Sequence, residues 1–380
     1  MDGNFLLVRY GEIGTKSEPV KSKMIKVLRQ RVEDRLEYEN FQYETVSVQP
    51  GRITVENPEE IDEAMEAVSE IPGVSSVSPA YRTDPDIESI KQKSMMLEIG
   101  GTFGINTNRS GDHEFDTPQV NEEIGDYIRN EKDSEVDLDD PETWVNFDIR
   151  EEHAYVFERK IQGPGGIPVG TGESFAALIS GGIDSPVAAH EIMKRGSDIV
   201  PIYFYNSPVA AEDHFLRFKS VVEKLKSFNP SRHWKAYKID MSEVNPELIN
   251  VGSGRMILHR RLMFRVAEKI ANKENLKGLV TGESLSQKSS QTASNLRVTS
   301  EAVDLPILRP LISHDKKDIV EKAKEIGTYQ DAKIASACST MAPEDPRTKI
   351  GMRETRNLEK EVKFEELVET ALESIEEIDF

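Results

Sequence analysis

The chain has 380 residues, 37% apolar and 31% charged, with 68 Asp and Glu against 48 Lys and Arg and a net charge of −20. That length predicts two or three domains rather than one. No stretch approaches the roughly 20 apolar residues that span a bilayer and Met1–Tyr10 lacks a basic n-region with a cleavable apolar core, so a cytoplasmic protein without membrane contact is expected.

Phe5–Tyr10 reads as a buried strand, and Met24, Ile25, Leu28, Val32 and Leu36 recur at the spacing of one helix face over Lys21–Leu36. Strands at Tyr43–Val48 and Arg52–Val55 flank the turn Pro50-Gly51. A helix over Pro58–Val68 and a strand near Val74–Tyr81 complete a βαββαβ order, the ferredoxin-like arrangement. A second α+β unit is predicted from a helix at Ile87–Leu97, a strand at Thr102–Asn108, a helix capped by Thr117 that runs to Ile128, and strands at Val145–Ile149 and Ala154–Ile161. Gln162–Gly172 holds five glycines and two prolines in eleven positions and reads as a linker.

Beyond it strands and helices alternate. Strands are expected at Phe175–Ile179, Ile199–Tyr205, Trp234–Ile239, Gly278–Thr281 and Leu305–Leu308, with helices at Pro186–Arg195, Glu212–Ser227 and Met256–Asn272. Such alternation implies a doubly wound parallel sheet of the α/β class. Leu358–Ile378 reads as one long acidic helix. The boundaries assigned are 1–60 for the ferredoxin-like part, 61–165 for the second α+β unit, 166–174 for the linker and 175–380 for the α/β domain.

An excess of carboxylates opposes a polyanionic partner, yet much of it sits in Glu131–Glu142 and Glu359–Asp379, and basic runs such as Lys21-Ser22-Lys23 and His259-Arg260-Arg261 lie elsewhere. Cys338 is the single cysteine, which excludes an internal disulfide and a Cys-rich zinc or iron–sulfur centre within one chain. Alone it reads either as a small buried hydrophobe or as a reactive thiol. The seven histidines show no metal-binding spacing.

Ser180-Gly181-Gly182-Ile183-Asp184-Ser185 lies between an apolar strand and a helix. Glycines let backbone approach a ligand closely, and the N–H groups of the loop and of the helix N-terminus converge on an anion. Ser180 and Ser185 add hydroxyl donors, and Asp184 fits a magnesium ion bridging phosphates. The other reading is an ordinary strand–turn–helix junction with a capping Asp or Ser. No Walker-type Gly-x-x-x-x-Gly-Lys-Ser/Thr and no Gly-x-Gly-x-x-Gly after a strand occurs.

The hexapeptide matches the loop of PP-loop ATP pyrophosphatases, which adenylate a carbonyl oxygen. Together with Arg9-Tyr10-Gly11-Glu12-Ile13-Gly14-Thr15-Lys16-Ser17, Thr281-Gly282-Glu283-Ser284-Leu285-Ser286-Gln287, Ser290-Gln291-Thr292, Arg309-Pro310-Leu311 and Asp315-Lys316, it resembles the ThiI-type tRNA 4-thiouridine synthetase family, in the form without a rhodanese domain. Thr102-Phe103-Gly104-Ile105 and Pro118–Gly125 resemble the THUMP pattern of that family. The resemblance implies ferredoxin-like, THUMP and PP-loop domains in that order. It implies ATP contacts at Leu178, Ile179, Ser180, Gly181, Gly182, Ser185, Tyr203, Phe204, Arg260, Gly282 and Gln291. Asp184, Lys316 and Cys338 take catalytic roles: metal contact, neutralisation of departing pyrophosphate, and sulfur handling. Leu178, Ile179, Tyr203 and Phe204 also read as core, and Lys316 as a solvated side chain.

The implied function is ATP-dependent thiolation of a tRNA uridine at O4, at the position after the acceptor stem, by a homodimer. Its partners are tRNA and a separate sulfur donor, a persulfide protein or sulfide. The rivals are another PP-loop adenylating tRNA thiolase and a non-catalytic THUMP-type tRNA-binding protein.

Overall fold

The computed structural model describes residues 4–206, 213–230, 233–330 and 346–380. The chain divides into two compact units, residues 1–167 and 168–380.

The first unit opens with β1 (Asn4–Arg9), whose Leu6 and Val8 are fully buried. The helix α1 (Glu18–Tyr38) follows, with Pro19 in its first turn, where a missing N–H costs nothing. Next come β2 (Thr45–Gln49), β3 (Arg52–Glu56), α2 (Ile61–Ser69) and β4 (Ser76–Thr83). Leu6, Val8, Ile53, Val55 and Val77 alternate toward α1 and α2 and form one core with Leu28, Val32 and Val68.

The second half of this unit holds α3 (Ile87–Ser94), β5 (Thr102–Arg109), α4 (Thr117–Lys132), β6 (Glu135–Val136), β7 (Thr143–Ile149), β8 (Ala154–Phe157) and β9 (Ile161–Gln162). The cap of α4 is Asp116, which accepts the Gln119 N–H, rather than Thr117. Phe103, Phe147 and Val156 pack against Ile90, Val120 and Ile124 of α3 and α4. Both halves share one sheet, in the order β2-β3-β1-β4-β8-β7-β5-β6, with β9 on β4. β4 is the seam, antiparallel to β1 on one side and to β8 on the other.

The glycine-rich stretch after β9 is hydrogen-bonded rather than loose. Within the first unit Gly163 and Gly165 donate to Ser75 and Val74, and within the second unit Gly170, Thr171 and Gly172 all donate to the Gly196 carbonyl.

The second unit contains β10 (Ser174–Leu178), α5 (Asp184–Met193), β11 (Asp198–Tyr205), α6 (Asp213–Lys226), β12 (Lys235–Asp240), α7 (Asn245–Ile249), α8 (Arg255–Lys273), β13 (Leu279–Val280), α9 (Ala293–Ser300), β14 (Ile307–Leu308), α10 (Lys316–Glu325), α11 (Met352–Glu361), α12 (Phe364–Glu373) and β15 (Ile375–Asp379). The sheet order is β14-β13-β10-β11-β12-β15. All neighbours are parallel except β15, which runs antiparallel to β12. Alternate residues of β10 and β11 serve two cores. Ala176, Leu178, Ile202 and Phe204 face α8 and α12, while Ala177, Ile179 and Tyr203 face α5, α6 and α10. The chain leaves β10 toward β11 and β12, then returns to the other side of β10 as β13. That reversal opens a crevice at the carboxyl edge of the sheet.

The expected long helix over Leu358–Ile378 is not formed. It breaks at Lys363, whose φ of 50° places it in the left-handed region, and residues 375–379 form a strand. Ile375 and Ile378 register with Ile239 and Ala236, and Lys238 pairs Glu376 at 2.8 Å. Pairing with the bare edge of β12 outweighs the helical propensity of this Glu-rich sequence.

Candidate functional site: a glycine loop at the carboxyl edge of the sheet

The polypeptide leaves β10 at Leu178, turns through Ser180-Gly181-Gly182, and enters α5 at Asp184. Ser185 closes the turn. Its Oγ accepts the Ser180 N–H at 2.8 Å, lies 3.1 Å from Ser180 Oγ, and donates to the Ser180 carbonyl at 3.3 Å. Ser180 Oγ accepts the Gly182 N–H at 3.3 Å. The two hydroxyls expected to reach an anion therefore also shape the loop. Asp184 sits at the helix start with its carboxylate paired to Lys316. Lys316 opens α10, whose cap Asp315 accepts the N–H groups of Lys317 and Asp318.

Leu178, Ile179, Ser180, Gly181, Tyr203 and Phe204 line one cleft, so six of the expected nucleotide contacts come together. Ile202, Asn206, His214 and Met263 complete the wall, and none of these was anticipated as a site residue from the sequence. Tyr203 stacks on Phe218 at 4.7 Å between ring centroids. Behind Asn206, the buried His259 places Nε2 3.1 Å from Asn206 Oδ1. Burial, then the neighbouring Arg260 charge, pulls the His259 pKa down to about 4, so this ring is neutral at physiological pH.

Gly282 follows β13 and lies against the start of α5. A Cβ there would stand 2.7 Å from both the Asp184 carbonyl carbon and the Ser185 nitrogen. Only glycine admits that approach. The next residue, Glu283, is 1% exposed and receives Arg260 at 2.5 Å and Arg309 at 2.6 Å, with the Thr281 hydroxyl at 3.1 Å. Burial alone would raise its pKa, but the two guanidinium groups outweigh it and hold the carboxyl below its ordinary value. Arg260, expected at the nucleotide, thus also ties α8 to the end of β13. Gln291 is buried in a short turn and its Oε1 has no hydrogen-bond partner among the described residues. Cys338 lies outside the described residues.

Among the described residues no three His, Cys, Asp or Glu side chains gather as a metal centre, and no helix is long and apolar enough to cross a membrane. The parallel sheet, its switch point and the Ser-Gly-Gly-x-Asp-Ser turn define a PP-loop α/β protein. The chain belongs to the ThiI family: the profile described as Thiamine biosynthesis protein (ThiI) matches residues 170–364, the ThiI ferredoxin-like domain matches 5–78, and the THUMP domain matches 88–157. It is 35% identical to a protein named probable tRNA sulfurtransferase from Halobacterium salinarum, over 95% of this chain and 94% of that one. A protein of the same name from Bacillus pumilus is 32% identical over 100% and 96% of the two chains. Among solved structures, a 4-thiouridine synthetase–RNA complex with bound ATP superposes with a TM-score of 0.87 at 28% identity, covering 100% of both chains.

Proposed function

We propose that this chain is an ATP-dependent tRNA uridine 4-sulfurtransferase. The observation that carries this reading is the Ser180–Ser185 turn opening on a cleft lined by Leu178, Tyr203 and Phe204, in a chain that superposes along its whole length on a 4-thiouridine synthetase. ATP lays its adenosine in the cleft and its phosphates against the loop N–H groups and the N-terminus of α5. Uracil O4 attacks the α-phosphorus, the bond to the bridging oxygen breaks, and pyrophosphate leaves. A sulfur nucleophile then adds at C4, and the C4–O4 bond breaks to release AMP, a far better leaving group than the bare carbonyl oxygen.

Asp184 and Lys316 stand together at the pyrophosphate end. Asp184 would hold a magnesium ion brought by the nucleotide, which would supply charge neutralisation. Lys316 offers its ammonium to the departing pyrophosphate, and Gly182, Ser185, Arg260, Gly282 and Gln291 frame the nucleotide. Cys338 handles sulfur delivered by a separate donor, a persulfide protein or sulfide. The ferredoxin-like part, running through β4, and then the THUMP part precede the PP-loop domain of residues 175–380, with residues 166–174 as linker, and the enzyme acts as a cytoplasmic homodimer on its tRNA.

Unmodified tRNA incubated with protein, MgATP and sulfide, then digested and weighed as nucleosides, tests this reading. Wild type is expected to yield 4-thiouridine and stoichiometric AMP, and Asp184→Ala to lose about a hundredfold or more in rate. Appearance of 2-thiouridine would assign a different PP-loop thiolase, and no tRNA-dependent AMP from wild type would leave only an RNA-binding protein.

A further inference from the structure

Three arginines of the first unit converge on a single carboxylate. Arg9 ends β1 and Arg52 begins β3, and the two are direct cross-strand partners in the antiparallel register. Like charges in that relation destabilise a sheet. Both point away from α1 and α2, since the alternating Val8 and Ile53 fill the helix-side core. Asp148 of β7 ion-pairs with Arg52, and Arg150, just past β7, reaches the same carboxylate at 2.7 Å. Arg9 donates to Ser78 Oγ at 3.0 Å and lies over the Phe157 ring at 4.7 Å, while Arg52 lies 5.7 Å from the Tyr155 ring centroid.

The charges do not balance. Two guanidinium groups pair with one carboxylate and a third, Arg9, lies within its field, while Arg52 and Asp148 are only 3% and 5% exposed in their side chains. Arg9 Nη2, Arg52 Nε and Arg150 Nε are buried with no hydrogen-bond partner among the described residues, and so is one acceptor, Asp148 Oδ1, against these three donors. Burial, only partly offset by Asp148 and compounded by the other two arginines, draws the Arg9 pKa down to about 10. Unpaired buried cationic donors are costly unless something anionic completes them. The surroundings sharpen the contrast: residues 1–167 hold 18 Lys and Arg against 36 Asp and Glu, a net charge of −18. A cluster of net positive charge in so acidic a unit calls for an anionic partner.

We propose that Arg9, Arg52 and Arg150 form an anion pocket that takes one phosphate group, its occupant being a backbone phosphate of the RNA substrate. Planar guanidinium forks match phosphate oxygens in a way a lone ammonium does not. Phe157 and Tyr155 lie within cation–π reach of Arg9 and Arg52, and Arg150, 28% exposed, is the member most open to solvent. Because most of the unit repels RNA, this one neutralised phosphate fixes where on the surface the strand can lie. The RNA assignment rests on the function proposed above, whereas the pocket's appetite for phosphate does not.

The test uses the full chain, with Arg9→Gln, Arg150→Gln and the charge-retaining Arg9→Lys. tRNA binding is titrated by fluorescence anisotropy across a salt series, and melting is followed with and without inorganic phosphate. Each Gln variant is expected to bind tRNA about tenfold more weakly, with the slope of log K against log salt reduced by about 1, and Arg9→Lys to recover part of the loss. If wild type binds no tRNA, the reading of the function fails, and the phosphate arm alone decides the pocket. Phosphate that raises the melting temperature of wild type but not of the Gln variants, with tRNA binding unchanged, would assign a free-phosphate site and overturn the RNA occupant. tRNA affinity, salt slope and phosphate response all equal to wild type in Arg150→Gln, the more exposed position, would overturn the pocket itself.

Discussion

Glu283 shows how one side chain can hold a site it does not touch. It joins α8 through Arg260 and the segment after β14 through Arg309, while its neighbour Gly282 presses on the peptide that opens α5. Glu283→Gln keeps the shape but removes the buried charge that two partly buried guanidiniums share. The change is expected to cost about 3 kcal/mol of stability, read as a lower urea midpoint, and to raise KM for ATP about tenfold with a smaller effect on kcat. Unchanged KM in a folded variant would make Glu283 a structural residue only. The glycine loop was legible in the sequence because its chemistry is written in six adjacent residues. The Glu283 network and the Asn206–His259 contact were not, since their partners lie 23, 26 and 53 positions away and meet only through the sheet order.

At the scale of elements, α5 and α8 each carry a histidine on the buried side. Burial lowers the His190 pKa to about 4, as it does for His259, against an ordinary value of 6.5. The unfolded chain therefore takes up protons that the folded chain refuses between pH 6.5 and 4. Stability is complete above that window, falls through it, and levels off below it, at about 1 kcal/mol per pH unit for each histidine. Melting followed from pH 7 to 4 should show that decline, and His190→Phe, which keeps a ring against Phe228, should reduce its slope by about half, His259 supplying the rest. An identical pH slope in the variant would refute the assignment. The strand–helix alternation of the second unit was readable because its strands are continuous apolar runs. The C-terminal segment was misread because a strand there depends on an edge supplied by residues 235–240, far away in sequence.

For the whole molecule, charge is partitioned rather than spread. The second unit holds 30 Lys and Arg against 32 Asp and Glu, so nearly all of the −20 belongs to the first. A reading of total charge could not find this, because the acidic C-terminal stretch draws the eye to the wrong half. The second unit's sheet is completed by its last strand, with the Phe380 N–H donating to the Trp234 carbonyl at 2.8 Å and its ring edge-on to Phe218. A chain truncated after Ser374 should melt lower and scatter light on heating, since β12 is left with unpaired backbone groups. A truncated chain as stable and as monodisperse as the parent would show that β15 contributes nothing. The same placement bears on self-association. Whenever residues 375–379 are not seated, the flank of β12 offers free backbone groups to another copy, so this short strand acts as a guard against edge-to-edge pairing between molecules.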